Sequence, residues 1–406
     1  MLKRICTLIL CLSVQMHNPV RMDMGKSKSI LIKKEKKVKK LLFITTVLLV
    51  FIALFTGCTT PEPEVIEKEV IVTKEVEVEK EVIVTQEVVV EKEVIVTQEV
   101  EVEVEKEGPI EIAVIVKTGN SSFWQNVQTG AFAAQAELKE KTPKLSVTFL
   151  GAQSESNINE KINIVESAID RGVKAIVLAP SDVTALKPAV DKAMEAGIPV
   201  VIIDSALDGD NYVSFLATDN DAAGRACAER LIEDVVAKTG SDSGKIAVMS
   251  YVAGVGSEIG RVGGFKDYIE QNSNLEIVTT QYSNADMPTA LDQTTNVLAA
   301  NPDLVGIFGA NEPTAIGMGR AIEQAGLAGE IVAIGFDGNQ VLADMVRNNT
   351  LQAIAVQSSF NMGYLGVLTA YQAAIEGVEV ETFVDTGFLM VDKENVDSEE
   401  ARNVLY

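Results

Sequence analysis

From Ile110 onward the chain alternates short apolar runs with amphipathic stretches, and this rhythm restricts the possible folds more than any other feature. Ile110 to Val116 is apolar nearly throughout and reads as a strand covered on both faces, because a strand with one wet face would alternate apolar and polar residues. Phe123 to Lys141 follows with Val127, Ala131, Ala134 and Leu138 on one face, the spacing of a helix. Leu145 to Leu150 is a second strand, and Asn159 to Arg171 a helix that Gly172 stops. Ala175 to Ala179, Pro199 to Ile203 and Tyr212 to Ala217 continue the strands, with a helix over Pro188 to Ala196 among them. In the second half Ile246 to Tyr251, Glu276 to Tyr282, Leu304 to Phe308, Ile331 to Phe336 and Leu351 to Val356 are strands separated by helical stretches. Such βαβα order implies parallel sheets covered by helices on both faces. About ten strands strain a single open sheet, so two α/β lobes are favoured, with a TIM barrel as the competing architecture.

The 109 residues before this region differ in kind. Residues 1–57 carry eleven Lys and Arg against two acids, whereas 61–107 carry sixteen Glu against five Lys. Residues 108–406 hold nineteen bases and forty acids, and the whole chain has a net charge of -23, which disfavours a protein that binds nucleic acid by neutralising phosphates. Lys33 to Lys40 is basic, Leu41 to Phe55 apolar, and Thr56-Gly57-Cys58 small: the order of a secretory signal. The apolar run is shorter than the ~20 residues a transmembrane helix needs. Leu54-Phe55-Thr56-Gly57-Cys58 resembles the lipobox of bacterial lipoproteins, with Phe55 in place of the usual aliphatic residue. The resemblance implies that Cys58 becomes the lipidated first residue of the mature chain. Cys6, Cys11 and the single His, His17, precede the signal, and Met22 and Met24 offer alternative starts. A mature chain without His has no imidazole for acid–base catalysis, a Ser-His triad or a typical zinc site. Cys227 sits at helical spacing among small apolar residues and reads as core, so no disulfide is expected.

From Glu67 a twelve-residue unit repeats, EKEVIVTKEVEV and two close copies, then EVEKE up to Glu107. Its charge prevents it from burying a core of its own, and we read 58–108 as a solvated stalk. An oligomerising coiled coil or β-solenoid is the alternative, and the coiled coil lacks the 3.5-residue apolar spacing it needs.

Ligands of open α/β sheets bind at the carboxyl ends of strands. Those ends supply Asn120-Ser121-Ser122-Phe123-Trp124, Asp204-Ser205, Asn311-Glu312, Asp337-Gly338 and Gln357. Carboxylates, amides and two aromatics suit a sugar, since Asp, Asn and Gln bond vicinal hydroxyls while ring faces cover the C–H face of the sugar ring. The structural alternatives are that Asp204 caps a helix, Trp124 is core, Glu312 is helix-capping only, and Asp219 caps the helix that follows it. Gly254-Val255-Gly256-Ser257-Glu258-Ile259-Gly260 has its third Gly one residue late for a dinucleotide loop, so no cofactor is expected there.

In order and spacing, these stretches resemble the type 1 periplasmic binding proteins of the ribose, allose and galactose group, the solute receptors of ABC sugar importers. Matching segments run from Ile112 to about Leu389: Phe123-Trp124, Gly172 to Ile176, Pro180-Ser181-Asp182, Gly197 to Val200, Asp204, Thr218-Asp219-Asn220, Arg261 with Gly264-Phe265, Asn301-Pro302-Asp303, Asn311-Glu312, Gly335 to Gly338, and Gln357. The resemblance implies two Rossmann-like lobes joined by three crossing strands near Thr218, Ser358 and Asp385, closing on ligand by hinge motion. It divides the chain into an N-terminal lobe of 109–217 plus 358–385 and a C-terminal lobe of 218–357 plus 386–406. The site residues it implies are Asn120, Ser121, Phe123, Trp124, Asp204, Ser205, Arg261, Asn311, Asp337 and Gln357, with no catalytic residue, metal or cofactor. There are four departures: Ser205 stands where Arg is common, Ile259 replaces a sugar-contacting Arg, Ser121 pairs with a usual Asn that Asn120 could supply, and Ala285 replaces an aromatic that closes over ribose. Plain ribose is therefore not the safest ligand.

The expected function is a lipid-anchored, monomeric sugar or polyol receptor outside the cytoplasm, delivering to a membrane ABC permease. A sensor module feeding a chemoreceptor or kinase would use the same fold, and a surface glycosidase or epimerase would use two strand-end carboxylates as acid and base. A LacI-type regulator is disfavoured because signal and stalk stand where a DNA-binding helix-turn-helix would be.

Overall fold

The computed structural model describes residues 110–406. The leader, Cys58 and the stalk, together with Cys6, Cys11 and His17, lie outside the described residues. The chain first lays down β1 (Ile110–Thr118), α1 (Ser122–Leu138), β2 (Leu145–Ala152), α2 (Ile158–Asp170), β3 (Ala175–Leu178), α3 (Lys187–Glu195), β4 (Val200–Ile203) and β5 (Ser214–Ala217). It continues with α4 (Asn220–Thr239), β6 (Ser243–Ser250), α5 (Gly256–Asn272), β7 (Asn274–Tyr282), α6 (Met287–Ala300), β8 (Leu304–Gly309), α7 (Glu312–Gln324), β9 (Val332–Phe336), α8 (Gln340–Arg347) and β10 (Ala353–Gln357). It ends with α9 (Ser359–Tyr371), a π-helical turn over Gln372–Glu376, β11 (Phe383–Asp385), β12 (Phe388–Asp392) and α10 (Glu399–Val404).

These elements form two six-stranded sheets, ordered β11-β5-β4-β3-β1-β2 and β12-β10-β9-β8-β6-β7. All pairs are parallel except β10 with β12. This is a pair of open α/β lobes and not a barrel. The apolar runs are explained by burial on both faces: in β1, Ile112, Val114 and Val116 pack toward α1 and α9, while Ala113 and Ile115 pack toward α2 and α3. Each Ile or Val so buried stabilises by about 1.5–3 kcal/mol.

Two strands, β11 and β12, were not foreseen. Only Thr386 and Gly387 separate them, yet β11 joins the first sheet and β12 the second. The chain also passes between the sheets at Thr218–Asp219, after β5, and at Ser358, after β10. Two of these passages are tied together, because Asp385 Oδ1 accepts from the backbone N–H groups of Asp219 at 3.2 Å and Gly387 at 2.8 Å. In each lobe a helix pair packs backbone to backbone. A Cβ on Gly130 of α1 would collide with the carbonyl of Phe360 on α9, and one on Gly224 of α4 with the carbonyl of Arg261 on α5. The second contact fixes the helix that carries Arg261.

Candidate functional site

Asp204 follows β4 and Asp337 follows β9, the same position in the two sheets. Both have left-handed backbones, φ 66° and 72°, a conformation that costs an L-residue about 1–2 kcal/mol and that Asp tolerates better than most. Each is held by its neighbouring strand, with Asp204 N donating to Leu216 O at 3.0 Å and Asp337 N to Ala355 O at 2.8 Å. Both carboxylates line the space between the lobes, and both residues are only 3% exposed.

The first lobe adds Lys117, late in β1, whose Nζ lies 2.7 Å from Asp204 Oδ2 in a buried ion pair. The same ammonium donates to Ser205 Oγ at 2.7 Å and to Ser257 Oγ of the second lobe at 3.3 Å. Ser121 is the N-cap of α1, which places Phe123 and Trp124 in the first turn with their rings edge to face, centroids 4.8 Å apart. Trp124 Nε1 donates to Glu155 Oε1 at 2.9 Å, so the indole is fixed by its polar edge as well as by packing.

From the second lobe comes Arg261, its guanidinium 3.6 Å from the centroid of Phe336. Nη1 donates to Ala310 O at 2.7 Å, while Nε and Nη2 reach Asn220 Oδ1 at 3.1 and 2.8 Å. Two of its five N–H groups stay uncommitted to these partners. Gln357 Nε2 donates to Asp337 Oδ1 at 2.8 Å, and Gln357 Oε1 is buried with no protein partner among the described residues. An acceptor left open at that depth is completed by a ligand donor or is costly, about 1–3 kcal/mol.

The two walls touch. Glu312 begins α7, yet its carboxylate caps the other lobe's helix: Oε1 accepts from Ser122 N at 3.1 Å and Oε2 from Phe123 N at 2.9 Å. Its own N–H donates to Asp337 Oδ2 at 2.7 Å. Burial, then the charge of Asp337, pushes the Glu312 carboxyl up to about 7. Burial also raises that of Asp337, with Arg261 opposing it. Behind the wall Lys161 is fully buried, with Ser181 Oγ as hydrogen-bond partner, and burial followed by the charge of Lys117 brings its ammonium down to about 7. The space between these walls is partly open, and its empty volume of about 300 Å³ includes solvent at its mouth.

Of the residues read from sequence, Ser121, Phe123, Trp124, Asp204, Arg261, Asn311, Asp337 and Gln357 line this chamber. Ser205 sits one shell back, its Oγ donating to Asp204 Oδ2 at 2.7 Å and lying 2.8 Å from Ser257 Oγ. Asn120 is not brought in; its amide donates to Gln153 O, and it lines a second, outer chamber. Lys117, Glu155, Tyr251 and Ser257 were missed, and Glu312 was read only as a possible cap. Lys117 alone had a usable signal, since a Lys inside an apolar strand needs a buried counter-charge. Asp219 does cap α4, its Oδ1 accepting from Ala222 N at 3.0 Å, and Cys227 is fully buried, its thiol pushed up to about 12 by that burial.

A family model for the periplasmic binding protein domain matches residues 112–377. The chain belongs to this family. Among solved periplasmic binding proteins, an ABC transporter solute-binding protein from Agrobacterium vitis with bound D-fucose is 60% identical, with TM-score 0.70, covering 73% of this chain and 100% of that one. A carbohydrate transporter solute-binding protein from Agrobacterium radiobacter in complex with D-arabinose is 33% identical, with TM-score 0.71, covering 74% and 100%. The D-allose-binding periplasmic protein of Escherichia coli strain K12 is 29% identical over 289 residues, 70% of this chain and 90% of its own length.

Proposed function

We propose that this periplasmic binding protein captures one neutral pyranose of the D-fucose kind between its lobes and delivers it to an ABC importer. The carrying observation is a cleft walled by strand-end carboxylates of both lobes, in a chain 60% identical to a solute-binding protein with bound D-fucose over all of that protein's length. In this reading Asp204 and Asp337 accept from sugar hydroxyls, Arg261 and Asn311 donate, Lys117 holds Asp204 in place, Gln357 Oε1 takes a further hydroxyl, and Phe123 and Trp124 cover the C–H face. Ser121 and Ser205 orient these groups. Because the walls come from residues before Thr218 and after it, binding draws 109–217 plus 358–385 toward 218–357 plus 386–406, with the three chain passages as the hinge. The Lys117 ammonium is already paired with Asp204 and the charge of Arg261 favours the ionised form of Asp337, so no uncompensated cation is left for an anionic ligand.

The same proposal covers the chain's surroundings. Cys58 carries the lipid, the Glu/Val repeat over 58–108 holds the receptor off the membrane, and the receptor acts as a monomer without catalysis. Calorimetry of the chain against D-fucose, D-galactose, D-arabinose, D-allose and D-ribose, with chromatography of the sugar recovered afterwards, tests it. Saturable one-to-one heat with unchanged sugar is expected; a converted sugar, or no heat from any of the five, overturns the reading.

A further inference from the structure

Outside the sugar chamber lies a second one, with an empty volume of about 850 Å³. It too lies between the lobes, and Ser121, Glu155, Glu312 and Pro313 line both spaces. The two are therefore consecutive compartments of one cleft, separated where the Glu312 carboxylate bonds across to Ser122 N and Phe123 N. On the second-lobe side the outer wall is the turn Ser283–Asp286. Asn284 and Ala285 both have φ 57°, and two successive left-handed non-glycine residues persist only when their surroundings hold them. Here they are held: Ser283 N and Asn284 N donate to Ser250 O and Tyr251 O at 3.0 and 2.9 Å, and Ser283 Oγ meets Thr314 Oγ1 at 2.7 Å. Asn284, Ala285 and Asp286 of this turn line the chamber, Ala285 contributing no more than a methyl. Among the described residues no Lys or Arg lines it, whereas Glu155, Asp286 and Glu312 do.

We propose that the outer chamber is a subsite for a neutral substituent carried by the bound sugar, so that the physiological ligand class extends to neutral glycosides and disaccharides. The proposal rests on the monosaccharide reading above for the inner chamber. Three acidic side chains and no base exclude phosphate and uronate substituents by repulsion. The amides of Asn120 and Gln153 and the apolar surface of Pro288 and Ile316 suit either a second sugar ring or an aglycone.

The test is calorimetry of the full chain with D-fucose, the phenyl α- and β-D-fucopyranosides, and D-fucose 1-phosphate. At least one phenyl glycoside is expected to bind within about tenfold of D-fucose, and the phosphate at least a hundredfold more weakly. Ser154→Trp, which fills the chamber from the first-lobe wall, is expected to weaken that glycoside at least tenfold and to leave D-fucose within about twofold. Pro288→Trp fills it from the opposite wall and serves if the first variant does not fold, D-fucose binding being the check on folding. D-fucose binding with neither glycoside bound overturns this proposal alone, as does equal loss of sugar and glycoside in a folded variant. Failure of every compound here and of all five sugars above to bind the unaltered chain overturns the monosaccharide reading, and this proposal with it.

Discussion

Asp204 and Lys117 form a buried pair whose members depend on each other in a way that Asp337 and Arg261 do not. Removing Asp204 strands an ammonium 2% exposed, at a cost of about 3–5 kcal/mol, whereas a matched apolar replacement of both is near neutral. Asp204→Ala is thus expected to lower both affinity and melting temperature, and Lys117→Met combined with Asp204→Leu to recover the melting temperature without the affinity. A double variant that melts as low as Asp204→Ala would contradict this. Glu312 gives a pH dependence. Its carboxyl is raised to about 7 in the closed cleft against 4.5 when exposed, so closing takes up a proton between those values. The contribution to closure is fully present below pH 4.5 and is lost as pH rises through 7. Affinity is expected to fall with pH across that window by up to about tenfold per unit, and Glu312→Gln to flatten the profile. Lys161 has the opposite sign. Its ammonium is lowered from 10.5 to about 7, so its stabilising contribution is present above pH 10.5 and lost as pH falls through 7. The melting temperature is expected to rise between pH 7 and 9, and Lys161→Met to abolish that rise.

At the scale of the element, the helix pairs decide how accurately the walls are held. Gly224 sits against the carbonyl of Arg261 itself, so any side chain there pushes α5 away from α4 and moves the guanidinium. Gly224→Val is expected to cost about 3 kcal/mol or more in urea denaturation, beyond the usual range of single substitutions, and to weaken sugar binding as well. A folded variant with native affinity would show that Arg261 is not held by this contact. Strands and helices with whole apolar runs or stripes were legible in sequence because burial on both faces leaves no polar position, as in Ala175–Leu178. Phe383–Asp385 and Phe388–Asp392 were not, because edge strands of three and five residues are half exposed and the two-residue gap mimics a hairpin. The site divides on similar lines. Asp204, Asp337 and Trp124 follow directly from strand ends, but Glu155 lies in a loop whose approach to Trp124 is a tertiary event. Glu312 was read as a strand-end residue with helix capping as its alternative, and the structure uses it to cap the helix of the other lobe.

Over the whole molecule, the two sheets repeat one plan, with an aspartate bent into the cleft after the fourth strand of each, and neither lobe alone completes the set of donors and acceptors. In the proposed reading ligand affinity and lobe closure are one equilibrium, and a substitution on either wall is expected to be felt on the other. Trp124 makes this directly observable, since it is the chain's single tryptophan and belongs to the first lobe, whereas Asp337 belongs to the second. The decisive measurement is a titration of Trp124 fluorescence with D-fucose in the unaltered chain and in Asp337→Ala. A saturable change is expected in the first, with the midpoint in the variant raised at least tenfold, about 1–3 kcal/mol for the lost hydroxyl acceptor. No saturable change with any neutral monosaccharide in the folded chain, or equal midpoints in the two proteins, would contradict a sugar site completed by both lobes.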